Sequence, residues 1–211
     1  MRFPRVSQES LSRTKLPLGH LHKTEIREMA KERGFFDLVN KSESYEICFV
    51  PDNDYRGFLK RRVDGLEEKV RGGNFVLQDG KVVGTHEGYP FYTIGQRKGL
   101  GIALGYPIYV TEIRKDTNEV VLGIEKDLDR QGMWVGKLNL QKYGQIEGQM
   151  PATTKVRYKH EGSSSIIEQI GPDKIEVFFH EPVSAIAPGQ AAVFYEGNDL
   201  IGGGWILKSI K

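Results

Sequence analysis

The stretch MPATTKVRYKHEGSSSIIEQIGPDKIEVFFHEPVSAIAPGQAAVFYEGNDLIGGGWILK, residues 150–208, decides the fold. Runs of β-branched and aromatic residues are broken by His-Glu-Gly, Gly-Pro-Asp, Ala-Pro-Gly and Glu-Gly-Asn-Asp, the spacing of strands joined by short turns. Strands are predicted over 150–158, 165–170, 174–179, 190–195 and 200–208, with a hairpin loop at Gly171-Pro172-Asp173. Strands of this kind protect their exposed edges by closing on themselves, so an antiparallel β-barrel is expected over residues 106–211.

Upstream, the same texture begins near residue 70. It predicts strands over 73–78, 81–85, 108–114, 119–123 and 132–140, with tight loops at Gln78-Asp79-Gly80-Lys81 and Lys115-Asp116-Thr117-Asn118. Residues 51–105 form a Gly-rich, basic central module. Further upstream the period changes: KTEIREMAKER, residues 23–33, sets Ile26, Met29 and Ala30 at helical spacing and ends at Gly34. A second helix is predicted over Tyr55–Arg62, capped by Asp52 or Asp54. The expected molecule is mainly β with a short α-helical N-terminal part, divided at residues 1–50, 51–105 and 106–211.

Apolar residues make up 38% and charged residues 27% of the 211, enough for a folded core. No run approaches the roughly 18 apolar residues of a membrane helix, and MRFPRVSQESLSRTK has no apolar signal region. The expectation is a soluble, cytoplasmic chain without a membrane partner. A formal net charge of +2 reveals no polyanionic partner, so local clusters must carry that argument. The single cysteine, Cys48, excludes an internal disulfide and a multi-thiolate zinc site, and the five scattered histidines lack ligand spacing. No metal is expected.

Three stretches could carry chemistry. Cys48 is the one strong nucleophile. Its neighbours Ile47, Phe49 and Val50 suit a buried structural thiol, whereas the polar Lys-Ser-Glu-Ser stretch upstream suits a reachable one. YTIGQRKGLGIALG, residues 92–105, combines four glycines with Arg97 and Lys98. It reads either as a close-approach loop for a phosphate-rich ligand or as a tight turn, and it is not a GxxxxGK[ST] loop. KVRYKHE, residues 155–161, places Lys155, Arg157 and Lys159 on one face of an extended strand, with Tyr158 able to stack on a base; a solvated barrel face has the same pattern. Gln190, after Ala187-Pro188-Gly189, is either a turn residue or a hydrogen-bonding reader.

Five segments together resemble the tRNA-specific 2-thiouridylase family: LSRTKLPLGHLHKTEIREMAKERGF, SYEICFVPDNDYRGFL, GKVVGTHEGYPFYTIGQRKGLGI, VRYKHE and EPVSAIAPGQAAVFYEGNDLIGGGWI. The resemblance implies ATP-dependent adenylation of the wobble uridine 34 of tRNA, followed by sulfur transfer from a cysteine persulfide. It implies that Cys48 bears the persulfide and that Arg157, Tyr158 and Gln190 contact tRNA, with Arg97 and Lys98 as weaker candidates. The implied partners are the tRNA anticodon stem-loop and a sulfur-relay protein or cysteine desulfurase. ATP and Mg are implied for the parent enzyme only. The SGGxDS-type pyrophosphate loop and the family's second cysteine do not occur among these residues, so the chain is expected to be a C-terminal portion that is catalytically incomplete alone. Two rivals remain: a non-catalytic RNA-binding β-barrel module with a structural cysteine, and a translation-factor-like barrel that binds protein.

Overall fold

The computed structural model describes residues 6–40, 50, 52 and 54–211. Two compact units are present: residues 9–64, and Gly65–Lys211 together with the segment ending at Gln8.

The smaller unit is helical. After α1 (Gln8–Arg13), α2 (Lys23–Glu32) starts where the sequence predicts. The Glu25 carboxylate accepts the His22 backbone N–H at 2.6 Å, satisfying a donor that the first helical turn leaves unpaired. Gly34, at φ +79°, ends the helix in the left-handed conformation that glycine adopts without a Cβ penalty. Next come α3 (Phe36–Val39) and α4 (Tyr55–Arg62). Asp54 caps α4 by accepting the Gly57 N–H at 2.8 Å.

The larger unit begins with α5 (Leu66–Val70), followed by β1 (Gly73–Leu77), β2 (Val82–His86), β3 (Tyr109–Arg114) and β4 (Glu119–Gly123). These strands form one sheet in the order β2-β1-β4-β3, in which β1 and β4 are parallel. The hairpins β1-β2 and β3-β4 are the predicted ones. Membership of the sheet differs from expectation, because β3 and β4 were predicted within the barrel. Val120, Val121 and Leu122 are all buried, the pattern of a strand covered on both faces, and that environment favours pairing with β1 over an edge exposed to water.

At the end of β2, His86 knots this sheet. Its Nδ1 accepts the Gly88 N–H at 3.0 Å, and its ring lies 5.0 Å from Phe75 and 5.2 Å from Tyr92, centroid to centroid. Gly73 opposite must lack a side chain, since a Cβ there would lie 2.2 Å from the imidazole.

The barrel begins at Asp129. It contains β5 (Asp129–Leu140), β6 (Gln149–Lys155), β7 (Ser163–Gly171), β8 (Lys174–Ser184), β9 (Ala191–Glu196) and β10 (Asp199–Ile210), closed in the order β10-β5-β8-β7-β6-β9. Met133, Val135, Ile167, Ile175, Val177, Phe194, Ile201 and Ile206 fill its interior. Closure at β10 uses small residues: a Cβ on Gly203 would lie 2.4 Å from the Ala192 carbonyl oxygen. The β6 strand stops at Lys155, three residues before its predicted end, because His160 turns back on it. The His160 Nδ1 accepts the Val156 N–H at 3.4 Å, and the His160 backbone N–H donates to the Arg157 carbonyl at 3.1 Å.

Candidate nucleic-acid interface

Arg157 and Tyr158 therefore stand in a turn between β6 and β7, and the strand-face arrangement of Lys155, Arg157 and Lys159 does not form. A turn frees both side chains from the opposite-face rule that strand alternation imposes. Tyr158 is 77% exposed, an unusual position for a large aromatic ring and a suitable one for stacking on a ligand. The Arg157 Nη1 donates to the Ser184 carbonyl at 2.9 Å, which fixes the guanidinium while leaving further donors.

Ser184 ends β8 and leads into the loop carrying Gln190. Ala185, next in sequence, sits at φ +59°, a left-handed conformation rare for a residue with a side chain, and its N–H donates to the Leu128 carbonyl at 3.2 Å. Gln190 is exposed, while its backbone closes onto Ala187 and accepts the Ile206 N–H at 2.8 Å. The structure thus brings Arg157 to the foot of the loop that bears Gln190.

The 92–105 loop reaches the same place. Gly95, Gly99, Gly101 and Gly105 all have positive φ, and a Cβ on Gly95 would stand 3.0 Å from that of Ala185. Arg97 and Lys98 are exposed, with the Arg97 guanidinium 6.0 Å from the Tyr109 ring centroid. Three loops distant in sequence therefore meet around Ser184-Ala185, a convergence that no local sequence signal announces. Cys48 lies outside the described residues.

A cleft of about 670 Å³ between sheet and barrel runs beside these loops and is lined in part by Ile94, Arg130, Trp134, Phe178 and Pro188. Its indole is already engaged, since Trp134 donates to Glu176 at 2.7 Å and Lys174 covers the ring at 3.6 Å. Among the described residues no group of three or more His, Cys, Asp or Glu side chains is placed to hold a metal, and no helix is long and apolar enough to cross a membrane.

Burial holds the pKa of His86 below the ordinary histidine value of about 6.5. Burial, followed by the charges of Arg157 and Lys155, does the same to His160. Both rings are neutral at pH 7, and His160 must be neutral to accept the Val156 N–H. The unfolded chain then binds more protons than the folded one below about pH 6.5, so this stabilisation is present above that value and is lost as pH falls. NMR titration should place both midpoints below 6.5, and the melting temperature should fall on acidification from pH 7.5 to 5.5. A midpoint above 6.5 for His160 would contradict its role as the acceptor that ends β6.

Comparison with known proteins gives three successive family matches. These are the tRNA methyl transferase HUP domain over residues 3–52, the tRNA methyl transferase PRC-barrel domain over 56–124 and the aminomethyltransferase beta-barrel domain over 130–206. A protein of Cytophaga hutchinsonii named tRNA-specific 2-thiouridylase MnmA is 72% identical over 207 residues, 98% of this chain and 56% of the relative. Proteins of the same name are 68% identical in Amoebophilus asiaticus and 52% identical in Salinibacter ruber, over 98% and 94% of this chain and 55% and 52% of those relatives. The chain spans about half the length of the curated relatives it matches.

Proposed function

The chain belongs to the tRNA-specific 2-thiouridylase family, and from that premise we propose that it is the sulfur-carrying and tRNA-binding portion of such an enzyme. The observation that supports tRNA binding best is the anchored Arg157 beside the outward Tyr158, at the foot of the Gln190 loop. A fixed guanidinium suits a phosphate, an exposed ring suits a base or ribose, and a neutral amide can hydrogen-bond without adding charge. An anticodon loop is single-stranded, so its uridine can be drawn out of the stack at modest cost.

In the reaction so assigned, ATP adenylates the uridine C2 oxygen with loss of pyrophosphate. The terminal sulfur of a Cys48 persulfide attacks C2, and AMP departs with the former C–O bonding pair. A second thiolate then attacks the Cys48 Sγ. The sulfur-sulfur bond breaks, sulfur stays on the base and the two cysteines are left as a disulfide. Neither that second thiol nor an SGGxDS-type pyrophosphate motif occurs among these 211 residues, so we assign adenylation and sulfur release to groups outside them. Sulfur would reach Cys48 from a cysteine desulfurase or relay protein, and the setting would be the cytoplasm.

The test is tRNA affinity against salt concentration. Arg157→Ala should reduce the magnitude of the salt slope by about one unit, the loss of one phosphate contact. Tyr158→Ala should cost roughly 1 to 3 kcal/mol with the slope nearly unchanged, as for a lost stacking partner. Gln190→Ala should weaken binding without altering the slope. If all three folded variants bind like wild type, this face is not the tRNA surface.

A further inference from the structure

We infer that Gln96 is a positioning residue that presents Arg97 and Lys98 as a second phosphate-binding pair, continuous with Arg157 across the contact of Gly95 with Ala185. This rests on the RNA-binding reading above and extends it from the barrel to the central module.

The Gln96 side chain is satisfied at both ends by its own loop. Its Oε1 accepts the Thr93 N–H at 3.1 Å, and its Nε2 donates to the Lys98 carbonyl at 3.0 Å. The backbone beside it is pinned to β3: the Gly95 N–H donates to the Val110 carbonyl at 2.8 Å, and the Val110 N–H donates to the Gln96 carbonyl at 2.9 Å. Four hydrogen bonds thus fix a surface turn whose outermost side chains are two cations. Loops ordered before a ligand arrives lose less entropy on binding it, which is the benefit such clamping gives a binding site. Gly99, at φ +73°, continues the turn and leaves its outer face uncovered.

The turn is also joined to the barrel site. Gly95 approaches Ala185 so closely that a Cβ would be 3.0 Å from the alanine methyl, and Ser184, one residue earlier, holds Arg157 through its carbonyl. The cations of the two loops therefore share one floor. A polyanionic backbone crossing the sheet-barrel junction would meet both sets.

The experiment measures binding of a tRNA anticodon stem-loop over a range of salt, using the 211-residue chain. Removing Arg97 and Lys98 together should flatten the salt slope by about two units and weaken binding on the order of 50-fold near 0.1 M salt. Gln96→Ala retains every cation, yet should weaken binding about tenfold and flatten the slope by about one unit. In the Gln96→Ala background, removing the two cations should cost less than in wild type, the coupling expected of a residue that acts through them. Thermal melts accompany each variant, and if Gln96→Ala does not fold, the two exposed cations decide the case. Wild-type affinity and slope for the variant lacking both cations would overturn the inference while leaving Arg157 as the tRNA contact. A Gln96→Ala variant that melts earlier but binds with an unchanged slope would make Gln96 a loop staple only. Absence of salt-dependent binding by wild type would instead defeat the RNA-binding reading itself.

Discussion

A Cys48→Ser variant is expected to take up no sulfur under conditions in which a cysteine desulfurase and its relay load one sulfur atom onto the wild-type chain. Cys48 is the only thiol among 211 residues, so no neighbouring cysteine can stand in for it, and a serine hydroxyl cannot form a persulfide. Intact mass reads the result as the presence or loss of a single sulfur, reversible by reductant. The same chain should release no AMP from ATP in the presence of tRNA, since its sequence contains no SGGxDS-type pyrophosphate motif. Equal loading of wild type and Cys48→Ser would leave the thiol with a structural role and favour the non-catalytic RNA-binding module. AMP release by the pure chain would instead show that adenylation resides in these residues.

The largest stability effect is expected at the centre of the barrel. Phe194 on β9 is fully buried among Ile201, Ile206 and their neighbours, and truncating such a ring leaves both lost burial and a cavity. Phe194→Ala should therefore cost roughly 3 to 5 kcal/mol. In a unit of this size that lowers the melting temperature by about 6 to 20 °C. Gly203→Ala should also destabilise, because the new methyl would stand 2.4 Å from the Ala192 carbonyl oxygen on a strand already held in register. Tyr158→Ala, at an exposed position, should stay within about 0.5 kcal/mol and so separates folding from binding. A shift below about 2 °C for Phe194→Ala would mean that the barrel interior is not what holds this unit together.

Local chemistry made much of this molecule legible before its structure. The helices at Lys23–Glu32 and Tyr55–Arg62, a cap at Asp52 or Asp54, of which the structure uses Asp54, and the hairpins at Gly80, Asn118 and Pro172 each depend on residues a few positions apart. Periodicity and turn chemistry operate over that range. The β6 strand ends earlier than its residue types predict, at Lys155, for a local reason of another kind. Arg157 and Tyr158 fit an extended strand, but the His160 ring competes for the Val156 N–H and ends the ladder.

The amino-acid sequence by itself determined the strand-and-turn order, the family resemblance and the identity of the candidate residues, because each resides in residue type and short-range spacing, and the need to cover strand edges pointed to an antiparallel barrel. Only the tertiary structure decided that β4 runs parallel to β1 outside the barrel, and that the loops bearing Arg97, Arg157 and Gln190 meet around Ser184-Ala185. Those arrangements follow from strand burial on two faces and from side-chain volume at a contact between distant segments. Such quantities do not exist until the chain has folded.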